Sequence, residues 1–450
     1  MFQNGRNKQH LYMQNNLIQP GLIEETLTQC GISSLDNASI RDIVKAVNLL
    51  EQATGEKFIR MEMGVPGLPP SRTGTEAEIH ALEQGVAQFY PMLEGYPLLA
   101  REASRFIKNF MDIDIQPQGI IPTVGAMQAS YTAFMALTEC RRGKDTVLFI
   151  DPGFPVQKTQ LEVIGKPYIA FDIYEYRGEK LEAKLREYLD QGNIATIVYS
   201  NPNNPSWVCL TEQELQIIGK LATEYDIIIL EDLAYFAMDF RQDLSEPGKP
   251  PFQPTVAKYT DNYIFMISSS KLFSYAGQRL GLLCISDALF HKKYEHLKER
   301  YKSEELGYTI TYKLIYTQTS GTAHSPQYAL TAILKAANKG QLNILSTTRE
   351  YGTRAEKIKK IFKEAGFRIV YEKDGKEDIA DGFYFTMIYP GYTGGELAKE
   401  LLHYGISSIT LQGCGSSRAG LRMCVSQIGM DKIKILQKRI DKFKQDHPQT

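Results

Sequence analysis

Between about residue 39 and about residue 330, segments with apolar positions at helical spacing alternate with short apolar runs that stop at turn-formers or acids. Three such runs are Thr146-Val147-Leu148-Phe149-Ile150, Ile194-Ala195-Thr196-Ile197-Val198-Tyr199 and Ile227-Ile228-Ile229-Leu230. Runs without polar alternation read as strands buried on both faces, as in parallel sheets. Ser39 reads as a helix N-cap, because Ile40, Ile43, Val44, Val47 and Leu50 follow it at helical spacing. The alternation predicts an α/β fold, with a mostly parallel sheet covered by helices on both faces of a large domain.

Residues 1 to about 38 are mixed in polarity and weakly periodic, which predicts an arm or a pair of short helices. Past about residue 340 the texture changes. A basic amphipathic helix is expected over 354–365, strands over 367–371 and 383–387, and a helix over 396–402, followed by a strand near 421–425 and a closing helix. Together they make a smaller α+β domain. The expected division is an N-terminal arm and segment over 1–65 packing with the small domain, a large α/β domain over 66–335 and the small domain over 336–450. Neither an internal repeat nor a low-complexity tract is present.

Composition narrows the partners. With 450 residues, 43% hydrophobic and 23% charged, the chain can bury a large core and exceeds one ordinary domain. Its 51 basic and 52 acidic residues are interspersed, with no basic block to track phosphate backbones, so nucleic acid is not an expected partner. The six cysteines show neither CxxC spacing nor the density of a secreted disulfide scaffold, and read as reduced, mostly buried thiols. No metal site is expected. A polar N-terminus and the lack of an apolar run long enough to span a bilayer predict a soluble, cytoplasmic protein without a membrane partner.

The candidate chemistry lies where strands end or helices begin, the place at which open parallel sheets bind ligands. Thr123-Val124-Gly125-Ala126-Met127 joins a strand to a helix, so its N–H groups can cradle a phosphate, although a plain helix start has the same pattern. Asp151-Pro152-Gly153-Phe154-Pro155 sets an aromatic on a turn, where it either stacks on a planar ligand or joins the core. Ser200-Asn201-Pro202-Asn203-Asn204-Pro205-Ser206 fixes its backbone with two prolines and offers amide donors, or is an ordinary turn. Asp232 follows an apolar strand, and there a carboxylate needs a cation, a donor or a helix to cap.

Lys271 closes Ser268-Ser269-Ser270-Lys271 after the apolar run Tyr263-Ile264-Phe265-Met266-Ile267. Burial favours its free amine, the form that attacks an aldehyde. Ser268 and Ser270 bring hydroxyls able to bind a phosphate, and Arg279 adds a planar donor fork matched to one. Arg422, inside the apolar run Leu421-Arg422-Met423-Cys424-Val425, is expected to meet a carboxylate, whether the protein's own or a ligand's.

In this order and spacing, the segments resemble the aspartate-aminotransferase-like (fold type I) pyridoxal-phosphate enzymes over about residues 39 to 445. The resemblance implies pyridoxal 5'-phosphate as cofactor, with Lys271 as the Schiff-base lysine, Asp232 as the partner of the pyridine nitrogen, and Asn204 and Tyr235 as donors to the phenolic oxygen. It further implies a phosphate cup of Gly125, Ala126, Met127, Ser268 and Arg279, with Phe154 stacked on the ring. The substrate carboxylate falls to Arg422 and to the backbone at Gly64, in Met63-Gly64-Val65-Pro66-Gly67, with Asn204 also touching the substrate. Tyr90 is similar to the tyrosine that reaches the neighbouring subunit's phosphate, which implies a homodimer with shared active sites. The family's usual Asn-Pro-Thr-Gly is Asn204-Pro205-Ser206-Trp207 here, which loses the glycine and brings the only tryptophan near the cofactor.

The implied activity is amino-group transfer from an L-amino acid to a 2-oxo acid, with the Lys271 amine moving the α-proton. A lyase of the same fold, eliminating a β-substituent, is the alternative, and the sequence does not separate the two. A dinucleotide-dependent oxidoreductase, raised by Gly413-Cys414-Gly415-Ser416-Ser417-Arg418, lacks a third glycine and a following helix. A non-catalytic binding protein on this fold would have no need of Lys271.

Overall fold

The computed structural model describes residues 17–448; the first part of the expected N-terminal arm, 1–16, lies outside the described residues. The chain forms two compact units: a larger one of Leu68–Asn204 and Val208–Arg349, and a smaller one of the residues up to Gly67, Pro205–Trp207 and Glu350 onward.

The apolar runs become the sheet of the larger unit. Its seven strands are β1 (Ile120–Val124), β2 (Thr146–Asp151), β3 (Tyr168–Asp172), β4 (Ile194–Ser200), β5 (Ile228–Leu233), β6 (Tyr263–Ser268) and β7 (Leu280–Ile285), in the spatial order β1-β7-β6-β5-β4-β2-β3. Every residue of β2, β4, β5, β6 and β7 is buried, which accounts for the apolar runs that make up most of each strand. From β3 through β6 all neighbours are parallel, whereas β7 runs antiparallel to both β6 and β1. The reversal follows from length: the 269–279 connection is shorter than the roughly dozen residues a parallel crossover needs. The helix α1 (Gly125–Leu137) packs Ala129, Ala133 and Phe134 against Val198, Leu230, Met266 and Leu283 of the sheet.

The smaller unit holds β8 (Arg368–Ile369), β9 (Tyr384–Ile388), β10 (Ile409–Thr410) and β11 (Leu421–Cys424), all antiparallel, in the order β10-β11-β9-β8. Ile59–Arg60 pairs in parallel with Ile406–Ser407, which joins the N-terminal segment to this unit. The expected strand over 367–371 shortens to β8, because the Tyr371 N–H donates to the Thr386 hydroxyl at 3.0 Å instead of continuing the carbonyl ladder. Ser39 is the N-cap of Ile40–Thr54: its hydroxyl accepts the Asp42 N–H and the Asp42 carboxylate accepts the Ser39 N–H. None of the six cysteines is in a disulfide among the described residues, and no helix among them is long and apolar enough to cross a membrane.

Candidate active site

Parallel strands deliver polar residues in register at their carboxyl ends. In β5, Asp232 lies beside Ser200 of β4 and Met266 of β6, and the next strand over brings Ser268 opposite Gly281. Asp232 is 6% exposed; its Oδ1 accepts the Ala234 N–H and its Oδ2 accepts the Gln157 amide, each at 3.0 Å. Burial pushes this carboxyl up to about 6, and the two hydrogen bonds hold it from rising further. The preceding residue faces the other side of the sheet. Glu231 is fully buried and pushed up to about 7 by burial, while the Thr255 hydroxyl at 2.5 Å and the Tyr199 hydroxyl at 3.1 Å oppose that rise.

Lys271 is half-buried in the short helix Ser269–Leu272 that follows β6. The buried serines fix this helix: Ser268 accepts the Ser270 N–H at 3.2 Å, and Ser269 donates to the Leu280 carbonyl of β7 at 2.6 Å. Arg279 ends the connection in a left-handed conformation (φ 53°), exposed, with Nη1 donating to the Ala276 carbonyl at 2.8 Å. The same guanidinium lies on the start of α1. A Cβ built on Gly125 (φ +67°) would come within 2.5 Å of Arg279 Nη2, and one on Gly281 within 2.9 Å of the Ala126 nitrogen. Glycine at both places lets β7, the arginine and the helix N-terminus close up, where the first-turn N–H groups of Gly125, Ala126 and Met127 have no intrahelical acceptor.

Asn204 and Tyr235 are buried, and the Asn204 N–H donates to Ser200 Oγ at 3.2 Å. Phe154 is half-buried just ahead of the helix α2 (Val156–Ile164), whose first turn carries Gln157. Tyr90 is 89% exposed on the larger unit, next to exposed Phe89 and Met92. In the smaller unit Arg422 is 1% exposed, pairs across β11 with Thr386 and Ile409, and donates from Nη2 to the Glu62 carbonyl. Its guanidinium carbon lies 4.6 Å above the centre of the Tyr384 ring. Gly64 packs against the Tyr384 hydroxyl, which would stand 1.9 Å from a Cβ at that glycine. Of the residues expected from the sequence, Gly125, Ala126, Met127, Asn204, Asp232, Ser268, Ser270, Lys271 and Arg279 gather at the carboxyl edge of the larger unit's sheet, and Gly64 and Arg422 meet around Tyr384 in the smaller.

A family model described as aminotransferase class I and II matches residues 56–440. The chain belongs to that family. An aspartate aminotransferase of Pyrococcus horikoshii is 30% identical over 53% of this chain and 59% of that protein, and a probable aspartate aminotransferase of Methanocaldococcus jannaschii is 27% identical over 51% and 58%. The match thus spans less than two thirds of the length of these relatives. Among solved structures, alanine aminotransferase from Pyrococcus furiosus superposes with a TM-score of 0.72 at 22% identity, over 91% of this chain and 97% of that one. A double mutant of Thermus thermophilus aspartate aminotransferase gives 0.72 at 16% identity over the same shares. Both have the fold of the larger and smaller units.

In this class I and II aminotransferase chain Gln157 went unread in the sequence, and Trp207 was read only as a tryptophan near the cofactor, without its packing partners. Gln157 had no motif of its own; its one signal was its position in the first helical turn, three residues past Phe154. Trp207, at φ 64°, is fully buried and clusters with the smaller unit, where a Cβ on Gly382 would come within 2.0 Å of its Cε2. Its ring meets Tyr384 edge-on, with 6.2 Å between centroids. A left-handed backbone at a bulky residue costs on the order of 1–3 kcal/mol, so the surroundings of the indole hold it there.

Proposed function

We propose that this chain is a pyridoxal-phosphate-dependent aminotransferase that moves an amino group from an L-amino acid to a 2-oxo acid, with Lys271 as the residue to which the cofactor's aldehyde carbon is attached. The reading rests on one row at the sheet edge: a buried carboxylate on β5, a lysine after β6, and a glycine–arginine cradle where β7 meets β1 and α1. The residues fit that cofactor. Asp232 is buried strongly enough to need a donor before it ionises readily, and a pyridinium N–H is such a donor. The close approach at Gly125 leaves a helix N-terminus and a guanidinium facing one spot, the combination that binds a phosphate.

When bound, the cofactor supplies the electron sink for the charge left at the substrate Cα. The other work belongs to the chain's side chains. Asp232 keeps the ring nitrogen's proton in place, Asn204 and Tyr235 donate to the phenolic oxygen, and Phe154 covers one face. Ser268, Ser270, Arg279 and the N–H groups of Gly125, Ala126 and Met127 bind the phosphate. The Lys271 amine takes the α-proton and returns it, while Arg422, with Asn204 and the backbone of Gly64, holds the substrate carboxylate. The active form is a homodimer in which Tyr90 of the partner subunit reaches the phosphate. Exposed Ile79, Leu82, Phe89, Tyr90 and Met92 within one short stretch of chain support an apolar surface there that a second copy covers.

The test is spectroscopic and chemical. Purified protein should show a visible band that is lost in Lys271→Ala, and an amino donor alone should convert one equivalent and stop until a 2-oxo acid is added. Continuous ammonia release from the donor alone would identify an eliminating lyase instead. A colourless wild-type protein with cofactor supplied would refute the reading outright.

A further inference from the structure

In the smaller unit a tryptophan, a tyrosine and an arginine stand in line. Arg422 and Tyr384 are diagonal neighbours on adjacent antiparallel strands, since Thr386 is opposite Arg422 and Tyr384 is opposite Cys424. That register brings the guanidinium carbon over the ring, 4.6 Å from its centre. The ring is boxed in as well. Gly64 closes against its hydroxyl, and Trp207 presses on it at an interplanar angle of 67°. Trp207 reaches this position only because Gly382, two residues ahead of Tyr384, carries no side chain where the indole lies. A single tryptophan, held in a backbone conformation that disfavours it, is thus placed where it sets the orientation of one tyrosine ring.

We propose that Trp207 and Tyr384 are positioning residues for Arg422: Trp207 fixes the Tyr384 ring, and the ring fixes the plane of the guanidinium so that its donor fork is aimed at a ligand's carboxylate. The proposal rests on the reading of Arg422 as the carboxylate clamp. A planar fork gains its two parallel hydrogen bonds only when its plane contains the carboxylate, and a guanidinium stacked on a fixed ring loses the rotation that would spoil this. The Glu62 carbonyl, which accepts from Nη2, blocks the remaining swing.

The test uses the cofactor-loaded enzyme and acetate as a simple carboxylate probe, alongside steady-state kinetics. Tyr384→Leu removes the stack and should weaken acetate binding and raise KM by about tenfold with kcat little changed. Tyr384→Phe keeps the ring and should restore both to within about threefold. Trp207→Leu should behave as Tyr384→Leu does, and Trp207→Phe should fall between. Equal effects of Leu and Phe at 384, or a loss confined to kcat and thermal stability, would overturn the proposal. If the leucine variants do not fold, the wild type still decides. Trp207 is the only tryptophan, so its selectively excited emission should change on titration with acetate and cease to change in Arg422→Lys. Emission indifferent to bound acetate would overturn it. A Lys271-dependent band in the same samples would show that the failure lies with this proposal and not with the cofactor assignment.

Discussion

Replacing Asp232 with asparagine should make the cofactor-free protein more stable and the loaded enzyme useless. Burial raises this carboxyl from its ordinary 3.8 to about 6. A carboxyl raised on folding favours the native state while it is protonated and opposes it once ionised, so the handicap is absent below the unfolded value and complete above the folded one. A displacement of that size corresponds to about 3 kcal/mol at pH 8, about half of this at pH 5 and under about 1 kcal/mol at pH 4. Asp232→Asn removes the ionisable group while keeping the shape. Its oxygen still accepts the Ala234 N–H, and the Gln157 amide can turn to present its oxygen to the new NH2 group. Urea unfolding of the two cofactor-free proteins from pH 4 to 8 should therefore show the variant ahead by a margin that grows with pH. Adding cofactor should reverse the order, because binding stabilises the native wild type and the amide has no charge to offer a pyridinium. A difference that does not vary with pH would refute the desolvation argument, and a variant stabilised by the cofactor as much as the wild type would refute the role of Asp232.

Two further outcomes follow from close approaches. Gly125→Ala puts a methyl group 2.5 Å from Arg279 Nη2 at φ +67°, so the dissociation constant for pyridoxal 5'-phosphate, measured by equilibrium dialysis, should rise about tenfold; unchanged affinity would remove Gly125 from the phosphate site. Gly382→Ala forces the Trp207 ring from its place, and chemical unfolding should report a loss of about 1–3 kcal/mol with the visible band retained.

What was legible in the sequence is what strand ends make local. The buried runs, the glycine-led helix start, Asp232 and the serine–lysine segment are short stretches whose neighbours along the chain already fix their place at a strand end or helix start. The unread contacts join distant segments: Gln157 reaches Asp232 across 75 residues, and Trp207 rests on Gly382, just ahead of β9. A glutamine in a helical turn has no pattern that announces its partner, and a glycine before a strand does not tell which ring takes its space. Chain direction was legible for most of the sheet. A mostly parallel sheet was expected and forms from β3 to β6; which strand runs the other way was not legible, because β7 is as apolar as its parallel neighbours.

That reversed strand has a consequence for the range of ligands the site accepts. Ser268, Gly281 and Thr123 form one row across β6, β7 and β1, so Ser268 on one side and Thr123, just ahead of the helix start at Gly125, on the other stand two strand spacings apart, about 10 Å. Loops adjust their length one residue at a time, but a hydrogen-bonded ladder does not stretch. The gap behaves as a fixed gauge, graduated in whole strands. On the proposed function a phosphate is met by Ser268 from one side and by the N–H groups of Gly125, Ala126 and Met127 from the other, so an analogue whose anion is smaller or larger should keep one set of donors and lose the other while β7 remains between them.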